Sequence, residues 1–333
     1  MEAATQPMST GGRPQLGRSP ASRLPDQILR LGLTAIAVAV LALLAYFFVK
    51  LAIESRLVFE EEGILGFVFA NNWNVAASIY GALPLVVGTL ITSALALLFG
   101  VPVAVAVAVF LTELCPKRVR GSLTIVVDLL AAVPSVVYGL WAFYFLIPKL
   151  KPVEQWFADT FHFLPFVAID SVPGPNYFIA GLVLAIMLLP IVCAISREVL
   201  ATVPADLKEA SLGLGLTRWE MIRTSMLPYA RRGIVGASML GLGRAIGETI
   251  AVTIVIGDSP ILGHSIFGQG YTLAAVIANE FNEAAANPLH KSALIAAGLV
   301  LFVLTLLVNS IARLAVMRSE RQSGRPISAG GGV

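Results

Sequence analysis

Apolar residues fill six long stretches of the chain, at about 31–53, 83–111, 123–147, 177–195, 234–256 and 293–316, with most polar and charged positions gathered between them. At 1.5 Å of rise per residue, roughly twenty apolar residues cross a hydrocarbon core of about 30 Å as a helix. The pattern predicts an all-α membrane protein with six transmembrane helices. The first stretch is longer than the apolar centre of a signal peptide and five others follow it, so it is expected to stay as an anchor.

The second stretch contains Gly100 and Pro102, and a split there would invert every segment downstream. Charge decides the matter. With six spans, 17 of the 23 Lys and Arg lie on the side of the two termini and five lie opposite, whereas a split reverses the bias. Lys and Arg gather on the cytoplasmic side of membrane proteins. One long helix, kinked or tilted at Pro102, is therefore predicted, with both termini cytoplasmic. The outer segments then hold Glu60, Glu61, Glu62, Asp258, Glu280 and Glu283. One of them repeats apolar residues at three- and four-residue spacing from Thr272, which predicts a short amphipathic helix on the outer face.

Composition agrees with this reading. The 333 residues are 57% hydrophobic and 13% charged, against about 45–50% and 25% in soluble proteins. A net charge of +3 marks neither a nucleic-acid footprint nor an acidic tail. Cys115 and Cys193 are expected as free thiols. His162, His264 and His290 lack ligand spacing, and no Walker, zinc-protease or Gly-x-Ser-x-Gly motif is present, so neither catalytic residues nor a metal is expected in this chain. The predicted organisation is a disordered tail at 1–28, a first helix and outer segment at 29–82, a permease domain at 83–316, and a tail at 317–333.

Once Lys50 and Arg313, near the ends of their spans, are assigned to the flanking sides, three charges remain inside spans: Asp128, Arg244 and Glu248. Each is costly there, about 2.5–3.5 kcal/mol for Arg at a helix centre, and so a functional candidate. Arg244 lies roughly 15 Å along its helix. Glu248 follows by four residues, which on a continuous helix puts both side chains on one face and lets them pair, either to fix helix register or to meet a solute. Asp128 precedes Pro134 and Ser135, a polar interruption expected to open the third helix; an interhelical hydrogen bond would satisfy its carboxylate. In the fifth helix Gly233, Ala237, Gly241 and Ala245 recur at four-residue spacing, with Gly243, Gly247 and Ala251 on a second stripe, as in closely packed membrane helices.

The segment 197–232 is expected to form two short helices, at 205–214 and 218–226, joined at Gly215, with Leu207, Leu214, Trp219, Ile222 and Met226 as docking faces. It resembles the Glu-Ala-Ala loop of type 1 ABC importer permeases, the MetI-like fold. Glu209, Ala210, Gly215, Leu227 and Pro228 fall in register with that motif, while Ser211 and Ser225 depart from it. The resemblance covers about 87–313. Thr112-Glu113-Leu-Cys-Pro116, Ala132-Val-Pro134-Ser135-Val-Val-Tyr138-Gly139, Gly243-Arg244-Ala-Ile-Gly247-Glu248-Thr249 and the outer stretch from Thr272 to Phe281 are similar to the PstC family of phosphate transport permeases.

That resemblance implies a subunit of an ATP-driven phosphate importer in a bacterial inner membrane, surrounded by lipid. It implies a PstA-like second permease, a PstB-like ATPase dimer that binds ATP and Mg and docks on the loop, and a PstS-like phosphate-binding protein outside. No cofactor is expected in this chain itself. Arg244 and Glu248 are the expected path residues, joined by Ser135 and Thr249 from the quoted motifs. A guanidinium suits phosphate oxygens, and a carboxylate accepts the O–H that hydrogen phosphate retains and sulfate lacks. The alternatives are a permease of this fold for another oxyanion, such as molybdate, sulfate or phosphonate, and a non-transporting scaffold.

Overall fold

The computed structural model describes residues 23–322. It is mainly helical and divides into two units after Lys50. The first holds α1 (Arg23–Glu54) as far as Lys50, and its side chains from Gln27 to Lys50 are all exposed. An unbroken apolar helix of that kind suits lipid rather than water.

The second unit is built around α8 (Tyr177–Ala201), flanked by α4 (Leu83–Val109) and α11 (Leu227–Gly247). Pro102 lies within α4, and a single π turn (Phe110–Leu114) carries that helix on to Leu114, so the predicted long second span is continuous. Small residues bring α4 and α8 together: a Cβ on Gly181 would stand 2.5 Å from that of Leu95.

The third and fifth spans are bent. Helix α5 (Lys117–Leu130) meets the continuous helix formed by α6 (Ser135–Trp141), a π turn (Ala142–Leu146) and α7 (Ile147–Thr160) at 88°, which confirms the predicted interruption near Pro134. The predicted unbroken fifth helix over 234–256 is corrected. It stops at Gly247, turns by 65° and resumes as α12 (Ile250–Ile256). Glycine and β-branched threonine are both weak helix formers, and they flank the break at Glu248. Among the described residues four helices are long and apolar enough to cross a membrane, or up to six if each bent pair is one span.

Helix α9 (Ala205–Gly213) matches the first predicted loop helix. The second is corrected. Helix α10 (Arg218–Met221) passes through a π turn (Ile222–Met226) directly into α11, giving one rod from Arg218 to Gly247. Pro228 explains the π turn, since a proline ring clashes with the carbonyl four residues back and offers no N–H to it.

At the opposite end of α4 lie α2 (Arg56–Glu62), α3 (Ile64–Phe69) and a small antiparallel hairpin, β1 (Trp73–Asn74) with β2 (Ile79–Tyr80), elements that the apolar pattern did not predict. The helix expected from Thr272 forms as α13 (Leu273–Glu280), with the Thr272 hydroxyl accepting from Ala275 N–H. Ala278 and Asn279 are exposed, whereas its first turn is covered. Leu273, Ala275 and Val276 are buried in one cluster with Phe67, Leu85 and Leu294. Glu280 Oε2 accepts from Trp73 Nε1 at 3.1 Å and lies 2.9 Å from Nε2 of His290, whose ring stacks on Tyr80. Helix α14 (Pro288–Gln322) runs six residues beyond the predicted boundary at 316, and α1 begins ahead of residue 29. The remainder of both predicted tails lies outside the described residues. Cys115 and Cys193 are free and buried.

Candidate functional site

Arg244 stands on the last turn of α11, and its side chain is exposed. Glu248, beyond the helix end, is extended (φ −70°, ψ 130°), and Thr249 leads into α12. An i,i+4 pair needs an unbroken helix. The predicted Arg244–Glu248 pair is therefore not formed, and among the described residues Arg244 joins none of the ion pairs. Glu248 and Thr249 are half-buried, with the Thr249 hydroxyl donating to the Gly247 carbonyl at 3.2 Å.

The two bends lie together. Helix α6 packs on α12, where a Cβ on Gly139 would come within 3.1 Å of the Ala251 Cα. Tyr138 of α6 is within electrostatic reach of Arg244, and its hydroxyl donates across the first bend to the Leu130 carbonyl at 2.8 Å. Ser135, half-buried, opens α6 one turn before Tyr138. The spans carrying Ser135, Arg244, Glu248 and Thr249 thus meet where both helices break. Backbone groups freed at such ends are polar surface that a continuous helix would hide. Tyr138 was missed in the sequence because an apolar run gives a tyrosine no distinguishing spacing. Asp128 does not join this site. Its carboxylate lies 3.5 Å from Arg197 on α8, the interhelical contact that the sequence predicts.

The two small-residue stripes of α11 separate. Gly233 abuts Val199 and Gly241 approaches Val192, with Ala237 and Ala245 buried between helices. A Cβ on Gly236, Gly243 or Gly247 would meet nothing within 4 Å.

On the loop, Glu209 and Ala210 lie exposed on α9, and Gly215 takes a left-handed conformation (φ +85°) that favours glycine. Leu227 is half-buried and Pro228 exposed in the first turn of α11. Ile222 and Met226 are buried and Leu207 packs on the core as predicted, but Leu214 is 84% and Trp219 64% exposed, leaving an apolar surface beside Glu209. Ser211 and Ser225, the two departures from the loop motif, face each other with hydroxyl oxygens 2.7 Å apart.

At the far end of α12, Gly257 (φ +95°) and Asp258 (φ +49°) turn the chain. Asp258 Oδ2 accepts from Asn279 at 3.0 Å, while its Oδ1 is buried without a hydrogen-bond partner. Burial pushes this carboxyl up to about 6.

The sequence profile of the binding-protein-dependent transport system inner membrane component family matches residues 100–320. The phosphate transport system permease protein PstC of Pasteurella multocida is 46% identical over 267 residues, covering 78% of this chain and 82% of that protein. The protein of the same name from Mesorhizobium japonicum is 41% identical over 306 residues, covering 90% and 93%. Among solved structures, a bacterial alginate ABC transporter in complex with its alginate pentasaccharide-bound periplasmic protein shares the fold, with a TM-score of 0.58 at 19% identity over 87% of this chain and 96% of that one. With an ABC importer permease fold and this extent of identity, the chain belongs to the binding-protein-dependent transport system inner membrane component family, within its PstC group.

Proposed function

We propose that the chain is a permease subunit of an ATP-driven inorganic phosphate importer and forms half of the path with a PstA-like permease. The observation that carries this reading is Arg244, a cation left exposed and unpaired where two broken helices meet, in a chain whose relatives are phosphate transport permeases. A guanidinium binds phosphate oxygens through charge-assisted, often bidentate hydrogen bonds. Ser135 and Thr249 offer hydroxyls to the same anion, and Glu248 accepts a hydrogen bond from the O–H that hydrogen phosphate carries and sulfate lacks. A PstS-like protein delivers the anion to the outer face.

The chain contributes no catalytic group. ATP and Mg are bound by a PstB-like ATPase pair that docks on the loop, at Glu209, Ala210 and the exposed Leu214 and Trp219, while Gly215, Leu227 and Pro228 shape its turn into α11. Closure of that pair moves the loop and rocks the helices. In this reading both termini and the loop are cytoplasmic, and 83–316 is the permease domain.

The test is ATP-driven uptake of labelled phosphate into vesicles containing this chain with its second permease, ATPase and binding protein, challenged with excess sulfate and molybdate. Uptake that resists both competitors supports the reading. An assembled, ATP-hydrolysing complex that takes up no phosphate overturns the substrate assignment.

A further inference from the structure

Helix α9 touches the rest of the chain through one narrow face. Leu207 packs on the core, Lys208 and Ser211 stand one and four positions on, and Ser211 is the one buried residue of the helix. Lys208 Nζ lies 2.6 Å from Glu113 Oε1, both side chains about four-fifths shielded, at 21% and 18% exposure. The Ser211 hydroxyl meets that of Ser225 at 2.7 Å. Glu113 belongs to the π turn that ends the α4 rod, and Ser225 to the π turn that begins α11. π turns interrupt the regular ladder and concentrate at functional positions. An open cleft of about 250 Å³, lined by Glu113, Lys208, Leu212, Arg218 and Met221, runs beside the ion pair.

We propose that Lys208–Glu113 and Ser211–Ser225 are two struts through which movement of α9 is passed to the second and fifth spans. This rests on the reading above that an ATPase docks on the exposed face of α9. A shielded ion pair resists separation better than a surface pair, because little water or salt screens it. A push on Glu209 or Ala210 therefore reaches the end of α4 through a charge contact and the start of α11 through a hydroxyl bridge. Lys208 and Glu113 are positioning residues, touching neither ATP nor the transported anion.

The experiment uses the complete reconstituted complex with a cysteine placed at exposed Leu240 on α11. It compares ATP hydrolysis with the ATP-dependent change in labelling of that cysteine, a readout that needs no knowledge of the anion. In Lys208→Met and Glu113→Gln, hydrolysis is expected to persist while the labelling change shrinks by at least about fivefold, the low end of typical coupling between two sites. The exchanged double variant Lys208→Glu with Glu113→Lys is expected to restore it. A full-sized labelling change in the single variants overturns the proposal, as does an exchanged pair that assembles but restores nothing, or singles that lose hydrolysis and labelling together. Loss of phosphate uptake by the unmodified complex strikes only the substrate assignment, since neither readout depends on phosphate.

Discussion

Helix α11 has two faces made of the same residue types and used in opposite ways. One, through Gly233, Ala237, Gly241 and Ala245, is closed against α8, and its glycines exist because Val199 and Val192 occupy the space a side chain would need. The other, through Gly236, Leu240, Gly243, Arg244 and Gly247, is open, with no neighbour where its glycines would carry a Cβ. Small residues on the closed face are explained by packing within the chain. Those on the open face are not, and an arginine without an ion pair is poor material for stability in a membrane. The contrast divides the helix into a part that holds the fold and a part left for something outside this chain.

The sharpest way to break the contrast is Arg244→Ala. If the open face meets phosphate, uptake should fall about 10- to 100-fold, the equivalent of the roughly 1.5–3 kcal/mol a hydrogen bond to a charged group supplies. Thermal unfolding of the detergent-solubilised protein should shift little, within about 0.5 kcal/mol, as for surface substitutions. A large loss of stability with uptake per folded molecule intact would assign Arg244 to the closed face after all.

The reciprocal change is Gly233→Ala. A methyl group there collides with both methyls of Val199, so overpacking should cost about 1–3 kcal/mol, read as a lower unfolding temperature. Uptake per folded molecule should stay near that of the unmodified protein. If stability is unchanged instead, α11 and α8 are not in close contact and the closed face disappears as a category.

How far these faces could be read beforehand depends on what spacing can convey. The long spans, the continuous helix through Pro102 and the interruption near Pro134 follow from run length, charge placement and proline, all local signals. Arg244 and Glu248 were also visible, because charge in an apolar run stands out, but their pairing was misread. Four-residue spacing carries geometry only while the helix continues, and the break falls between them. Gly247 beside Glu248 and Thr249 was the available warning. The contact between Glu280 and Trp73 spans 207 positions, and no periodicity reports it. Ser211 and Ser225 looked like two independent departures from the loop motif until the fold set one hydroxyl against the other.

A smaller effect sharpens the open face. Gly243→Ala adds a methyl into empty space and removes a flexible residue from a helix, so it should stabilise the isolated chain by about 0.5–1 kcal/mol. If a neighbouring subunit or the anion comes close to this face in the working complex, uptake should decline even as the unfolding temperature rises. Both quantities rising together would show that the open face stays open during transport.

The effect confined to one pH window lies just past α12, where Asp258 extends the comparison to a polar atom that is buried rather than open. Its Oδ1 has no hydrogen-bond partner, Glu280 adds repulsion, and the carboxyl titrates at about 6 in the fold instead of 3.8. The folded state thus holds a proton more tightly than the unfolded chain does. Stability contributed by the neutral acid is present below about pH 4, is lost as pH climbs towards about 6, and changes no further above that. Asp258→Asn keeps an oxygen that accepts from Asn279 and removes this one titration, so the variant should lack this part of the fall across the window. In thermal unfolding followed from pH 4 to 8, the variant should gain on the unmodified protein between about pH 4 and 6 and hold a constant lead beyond. A lead that shrinks as pH rises would mean the folded state prefers the ionised carboxylate, and with it that water or a neighbouring donor reaches Oδ1.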